Sequence, residues 1–353
     1  MQTSIHKNPF YAKLAYVLVS LIALIYLAVV GKELIAPLIF SFLFAILLFP
    51  FASVLERKLK LHRGIACLFT VILFLFLIVG FLYLLGAQFA ELSSDWPVFR
   101  DQIITALGNL QNWIASRFDI DKAHQMNYLT DAAQKMLSST TVIIGATVLS
   151  ISSIMLFLVF TFIYTFFILL YRRLIVRFLT DVFKEDHVHV VHDVLAQIQY
   201  IIRRYLIGLV IQIIVISGIT CISFLLLDIK YAFLLGLLTG VINIIPYLGI
   251  FTAIIISALV TFATTGLFAK VLLVTATLVI IHLIDSNILL PTVVGSKVKI
   301  NAFVTVLGVF CGEMIWGIQG MFLSIPVIAV LKIIFDRVDE LKPWGMLFGE
   351  EEK

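Results

Sequence analysis

Residues 231–264 read YAFLLGLLTGVINIIPYLGIFTAIIISALVTFAT, and residues 302–335 read AFVTVLGVFCGEMIWGIQGMFLSIPVIAVLKIIF. Each run is 34 residues long, roughly 51 Å as one straight helix. The hydrocarbon core of a bilayer is only about 30 Å thick. Each run also carries backbone breakers near its middle: Pro246 and Gly249 in the first, Gly317 and Gly320 in the second. The simplest reading is a pair of helical hairpins, each with two legs. The runs are loosely alike. Gly236-xxx-Gly240 is followed by Asn243, Pro246 and Gly249, and Gly308-xxx-Gly312 by Glu313, Gly317 and Gly320. This is a weak internal repeat with one residue of slip.

Composition agrees. Of 353 residues 62% are hydrophobic and 13% charged, and mean hydropathy is +1.12, which excludes a soluble globular domain. Apolar runs of span length recur at 14–30, 34–55, 64–90, 142–171 and 205–227, followed by the first hairpin, a single span at 271–290 and the second hairpin. The expected fold is therefore all-α: a polytopic membrane protein of about eight membrane segments, with two opposed hairpins in its C-terminal third. The first span lacks a cleavage site and is read as an uncleaved span. Cys67, Cys221 and Cys311 all fall in apolar runs and imply no disulfide framework.

The chain divides into an N-terminal three-span segment (1–90), an extracytoplasmic helical insert (91–140) and a fourth span (141–171). A cytoplasmic amphipathic linker (172–204), a transport core (205–335) and a charged, solvated tail (336–353) follow. The insert opens on Ser94-Asp95-Trp96-Pro97, a helix-start pattern. It continues with Ile103, Ile104, Leu107, Leu110, Ile114 and Phe118 at helical spacing, an amphipathic stripe suited to a membrane surface or a neighbouring subunit. In the linker, Val190, Val191, Val194, Leu195, Ile198, Ile201 and Ile202 make another stripe running into the next span.

Orientation follows from basic residues. With both termini cytoplasmic, only Lys32, Arg100, Arg117, Lys122, Lys135, Lys230 and Lys270 of the 25 Lys and Arg fall outside. The net charge of +4 is thus loop asymmetry and points to no nucleic-acid partner.

Asp285 and Glu313 are acids well inside apolar sequence. An ionisable group on a membrane helix costs about 2.5–3.5 kcal/mol on insertion scales, so such residues usually mark a pathway or coupling site. His282 lies one turn before Asp285, and Asn243 and Asn287 could offer polar contacts to an ion or solute. The alternatives are structural. Asp285 could anchor a hairpin leg, Glu313 could sit near an aqueous mouth, and the asparagines could tie helix to helix. Pro246, Gly249, Pro291, Gly295, Gly317 and Gly320 are expected to shape turns. His187, His189 and His192 do not share one helical face and are not read as a metal site. No phosphate loop, HExxH or GxSxG motif is present, so neither an ATP-driven pump nor a hydrolase is indicated, and no cofactor is expected.

Several elements together resemble the autoinducer-2 exporter family of bacterial permeases. They are Gly236, Gly240, the run Asn243-Ile244-Ile245-Pro246-Tyr247-Leu248-Gly249, the run Asp285-Ser286-Asn287-Ile288-Leu289-Leu290-Pro291, Gly295, and Gly317-Ile318-Gln319-Gly320 to Pro326. Two early spans with Pro37 and Pro50, and a polar insert after the third, agree in order. The resemblance implies a bacterial inner-membrane secondary transporter that works without ATP as a homo-oligomer, with a pentamer as the expected assembly. Members are linked to export of a furanosyl quorum signal, others to sodium/proton exchange. This chain differs in having Asn243 where many members carry an acid, and Asn301-Ala302 where a Pro is usual.

The expected function is export of a small polar solute or signalling metabolite, coupled to a proton or sodium gradient and not enzymatic. Asp285 is the expected coupling carboxylate, with His282, Asn243, Asn287 and Glu313 around the ion or substrate path. A sodium/proton antiporter, a passive oligomeric channel and a non-transporting scaffold are the alternatives.

Overall fold

The computed structural model describes residues 10–95, 101, 102, 105, 108, 153–183, 188–246, 248–293 and 300–349. Among these residues the chain is helical without strands. Helices α1 (Phe10–Val30), α2 (Lys32–Lys58) and α3 (Arg63–Ser94) form the N-terminal part, followed by α4 (Ser153–Asp181) and α5 (Val188–Leu226). Then come α6 (Ala232–Ile242), α7 (Leu248–Thr265) and α8 (Phe268–Ile284). Helix α8 runs on through a π-helical turn, Asp285–Leu289, and a last turn, Leu290–Val293. The chain closes with α9 (Ala302–Trp316), α10 (Ile318–Arg337) and a short α11 (Lys342–Phe348). Seven of the described helices are long and apolar enough to cross a membrane, with shorter apolar helices beside them. This is an all-α, multi-pass membrane protein.

Both 34-residue runs break where the sequence places their turns. The first gives legs of 11 and 18 residues, roughly 16 and 27 Å long. The second gives legs of 15 and 20 residues, roughly 22 and 30 Å. In the first, the chain leaves α6 after Asn243 N–H donates to Thr239 O, and turns through Pro246. Gly249 then sits so close that a Cβ there would lie 2.3 Å from Ile242 O. In the second, one residue makes the turn: Gly317 has φ +63° and ψ −140°, a region open essentially to glycine alone.

The two glycine pairs do different work. Gly236 and Gly240 press α6 onto α5, where a Cβ would meet Cys221 Sγ at 2.3 Å and Ser217 Oγ at 2.1 Å. Gly312 instead faces Gly320 across its own hairpin, with Gly320 O 2.3 Å from its would-be Cβ, and Gly308 faces Ile328. The sequence repeat therefore marks close packing in both hairpins, but against different partners.

The hairpin tips converge. Ile244 from the first and Trp316 and Phe322 from the second pack on one apolar cluster built on Leu206, Leu209 and Leu323. Phe322 also stacks on Phe40 of α2, centroids 5.3 Å apart, and Trp316 Nε1 donates to Ala28 O of α1 at 2.8 Å.

Charged contacts collect at the helix ends. At one end Asp95 accepts from Lys230 and Tyr231, tying α3 to the α5–α6 connection. Lys270 bonds Asp228 O at 3.0 Å nearby. At the other, Glu56 pairs with Arg172 at 2.6 Å, and Asp193 pairs with Arg337. Long apolar stretches of α1 and α3 face outward, as surfaces covered by lipid or a neighbouring subunit must.

One local expectation is refined and one changes. Ser94 and Asp95 close α3, with Asp95 as its C-cap; the helix start expected at Ser94-Asp95-Trp96-Pro97 continues into residues outside the described ones. The amphipathic stripe expected over Ile103–Phe118 lies outside the described residues, apart from Thr105 and Gly108. The tail is not simply solvated either. Asn301 N–H donates to Phe348 O at 2.9 Å, Phe348 meets Phe335 edge-on, and Gly345 is buried. Gly345 and Phe348 seat α11 on the base of the second hairpin, while Trp344, Met346 and Leu347 stay exposed. The linker stripe and the fifth span form one continuous helix, α5, because no breaker separates them.

Candidate functional site around Asp285

Among the described residues Asp285 is the deeply buried acid, with 4% of its surface exposed. It sits where α8 changes from α-helical to π-helical winding. Pro291 explains the change. Its ring lacks an N–H and clashes with the carbonyl four residues back, and a wider turn accommodates both. The altered winding presents Asp285 to α5 and to the tip of the first hairpin.

Two amides meet the carboxylate there. Gln212 Nε2 lies 3.0 Å from Oδ1 and 2.9 Å from Oδ2, and Asn243 Nδ2 lies 2.8 Å from Oδ2. A carboxylate can only accept, so both amides must turn their NH2 groups toward it. Asp285 takes part in none of the ion pairs among the described residues. The carboxyl is thus met by amide dipoles and, among the described residues, by no ion-pair partner. Such a site gains most from a small mobile cation, a proton or an alkali ion.

The other sequence candidates lie elsewhere. His282 shares a helical stretch with Asp285, but its Nε2 stands 3.4 Å from Ser286 Oγ, and its Nδ1 is buried with no partner. Asn287 is exposed and bonds Leu283 O of its own helix at 2.8 Å. Glu313 is exposed on α9, four residues before Gly317, whose N–H donates to the Glu313 carbonyl. So the fold brings Asp285 and Asn243 together and leaves His282, Asn287 and Glu313 outside their hydrogen-bonded group. Pro246, Gly249, Gly317 and Gly320 all lie at or beside the turns, and Pro291 follows the π-turn; Gly295 lies outside the described residues. Among the described residues no cluster of three His, Cys, Asp or Glu forms that could hold a metal.

Gln212 was not singled out in the sequence. It carries no charge, and its neighbours across the site come from distant segments. A signal did exist: it is the one glutamine in the apolar run 205–227, and a membrane-buried amide needs a partner.

Comparison with known proteins extends the picture from one site to the whole chain. The family model described as AI-2E family transporter matches residues 18–340. The chain belongs to the AI-2E transporter family. It is 28% identical to the AI-2 transport protein TqsA of Escherichia coli over 313 residues, covering 87% of each chain. It is 25% identical to YueF of Bacillus subtilis over 328 residues, covering 87% of this chain and 86% of that protein. A shorter match, 35% over 130 residues, is to YrrI of Bacillus subtilis; it covers 37% of this chain and 36% of that protein. An AI-2E family member with seven helices able to cross a membrane is a membrane transporter. The Gln212–Asp285–Asn243 group lies within the matched region, and so do both hairpins.

Proposed function

We propose that this transporter is a secondary active exporter of a small polar solute in a bacterial inner membrane, with Asp285 as its coupling carboxylate. The observation that carries the proposal is a buried acid held by two amides without a fixed countercharge. Binding of a proton or sodium ion cancels the charge in a low-dielectric setting, so the site has a physical reason to load from a gradient. Asn243 closes α6 at the tip of a hairpin. Loading therefore changes a contact that holds a broken helix in place, and broken helices are how many secondary transporters build alternating sites. The name of TqsA supports a solute like autoinducer-2. Cytoplasmic termini and a homo-oligomeric assembly belong to the same proposal.

The test is uptake into proteoliposomes with an imposed pH or sodium gradient. Wild type accumulates solute uphill, and Asp285→Asn loses the gradient-dependent component while still assembling. Unchanged uphill flux in that variant removes Asp285 from the mechanism, and equilibration without accumulation in wild type makes the protein a pore.

Sodium/proton exchange is a second reading, favoured by the amide pair itself, since rotated amides would offer carbonyl oxygens to an alkali ion. Sodium-driven proton flux with no organic solute present distinguishes it.

A further inference from the structure

A second charged group, far from Asp285 in the chain, gathers where α2 ends and α3 begins, beside α4. Arg172 is fully engaged there. Its guanidinium pairs with Glu56 at 2.6 Å, donates to Leu169 O at 3.3 Å and lies over the Phe49 ring, 5.1 Å from its centre. Arg63 is not. Its Nη2 reaches Leu169 O at 3.3 Å, but its Nε is buried without an acceptor. Arg173 is exposed and makes no hydrogen bond or ion pair among the described residues. Both Arg63 and Arg173 lie close enough to act electrostatically on Glu56. Among the described residues, one carboxylate thus lies in the field of three guanidinium groups and pairs with Arg172 only, leaving Arg63 and Arg173 without an ion-pair partner. The second oxygen of Glu56, Oε1, is buried and accepts no hydrogen bond, so neither Arg63 nor Arg173 is paired with it.

This group sits at the ends of apolar spans, with exposed Phe51, Val54 and Ile65 beside it. That is the level at which a lipid headgroup meets its acyl chains. A phosphodiester supplies what is missing. It offers a negative charge and several acceptor oxygens, which guanidinium forks bind well. A zwitterionic headgroup carries its own ammonium and cancels much of that charge, so the excess favours anionic lipid.

We propose that Arg63 and Arg173 form a binding site for the headgroup phosphate of an anionic phospholipid, which completes the charge balance of the α2–α3–α4 end. Arg172 and Glu56 hold the frame. This inference stands apart from the transport reaction and from Asp285.

The full-length protein, delipidated in detergent, tests it by native mass spectrometry and thermal shift against phosphatidylglycerol, phosphatidylcholine and soluble glycerol phosphate. Phosphatidylglycerol is expected to bind and protect, and the other two are not. Arg173→Gln, at an exposed position without bonds, should lower the affinity about fivefold. Arg63→Gln should lower it at least as much. Lys58→Gln, an exposed basic residue next to the group, should change it little. The proposal is overturned if the double variant Arg63→Gln/Arg173→Gln keeps its preference for phosphatidylglycerol. Equal loss in Lys58→Gln overturns it as diffuse attraction, and equal protection by glycerol phosphate overturns the lipid assignment.

Discussion

Gln212 and Asp285, 73 residues apart in the chain, face each other with one amide nitrogen spanning both carboxylate oxygens at 3.0 and 2.9 Å. Asn243 adds a third contact at 2.8 Å. Neither amide brings charge, so the group is hydrogen-bonded but supplies no countercharge of its own. Gln212→Leu should leave Asp285 with Asn243 alone. Hydrogen bonds to a charged group contribute about 1.5–3 kcal/mol, and a loss of that order is expected in thermal unfolding of the detergent-solubilised protein. Adding Asp285→Leu should recover part of the loss, because the unpaired charge is then gone. Simple additivity of the two changes would deny the coupling.

The second hairpin separates two kinds of glycine. Around Gly317 nothing lies within 4 Å of a would-be Cβ, so Gly317→Ala costs only backbone strain, about 1–3 kcal/mol. Gly317→Val should cost at least as much by the same backbone route. At Gly320 a Cβ falls 1.9 Å from Gly312 O, a backbone atom that cannot rotate away. Gly320→Ala should therefore be the more damaging and should part α9 from α10. Disulfide trapping between cysteines placed on the two legs checks this. Efficient trapping in Gly320→Ala would mean the legs tolerate the methyl group.

At the end of the bundle bearing Asp95, pH should open a clasp. Lys230, donating to Asp95, and then Tyr231 hold the Asp95 carboxyl below its ordinary value. A depressed carboxylate stabilises the fold above its ordinary range, near pH 4, and that contribution fades as pH falls through the lowered value. On the alkaline side, burial and then the bond to Asp95 push Tyr231 up to about 12, and the same bond raises Lys230. Raised groups stabilise below their ordinary values and lose that contribution as pH climbs through the raised ones. Protection against hydrogen exchange across residues 226–232, relative to the intrinsic rate at each pH, should be greatest between these limits. Asp95→Asn should remove the acid limb; an acid limb that survives the substitution places its origin elsewhere.

Trp316 holds the second tip to α1 through one hydrogen bond, Nε1 to Ala28 O at 2.8 Å. Trp316→Phe keeps much of the apolar contact and loses the donor, an expected cost of about 1 kcal/mol. Accessibility of a cysteine placed at Ala28 should rise in this variant. No change would show that the tip is held by packing alone.

Much of the fold was legible from residue order. Run length against bilayer thickness demanded two hairpins, and Pro246 and Gly317 marked their turns, because a breaker acts on the backbone where it stands. Asp285 stood out for the same local reason: a charge in an apolar run is conspicuous by itself. Gln212 did not stand out, since an amide is cheap enough to pass unnoticed until its partner is known. The docked tail is not legible in the sequence, because the charges of 336–353 outweigh Gly345 and Phe348, through which α11 is seated.

Helical content, the number of apolar spans and the hairpin breaks were properties of the sequence alone, since each follows from periodicity, hydropathy and backbone stereochemistry within a few residues. The tertiary structure alone decided which polar groups meet. The π-turn before Pro291 rotates Asp285 toward Gln212 and Asn243 and leaves His282 with Ser286. Helical spacing within α8 could not reveal this, because the partners come from α5 and from the end of α6, and only the folded bundle sets their distance.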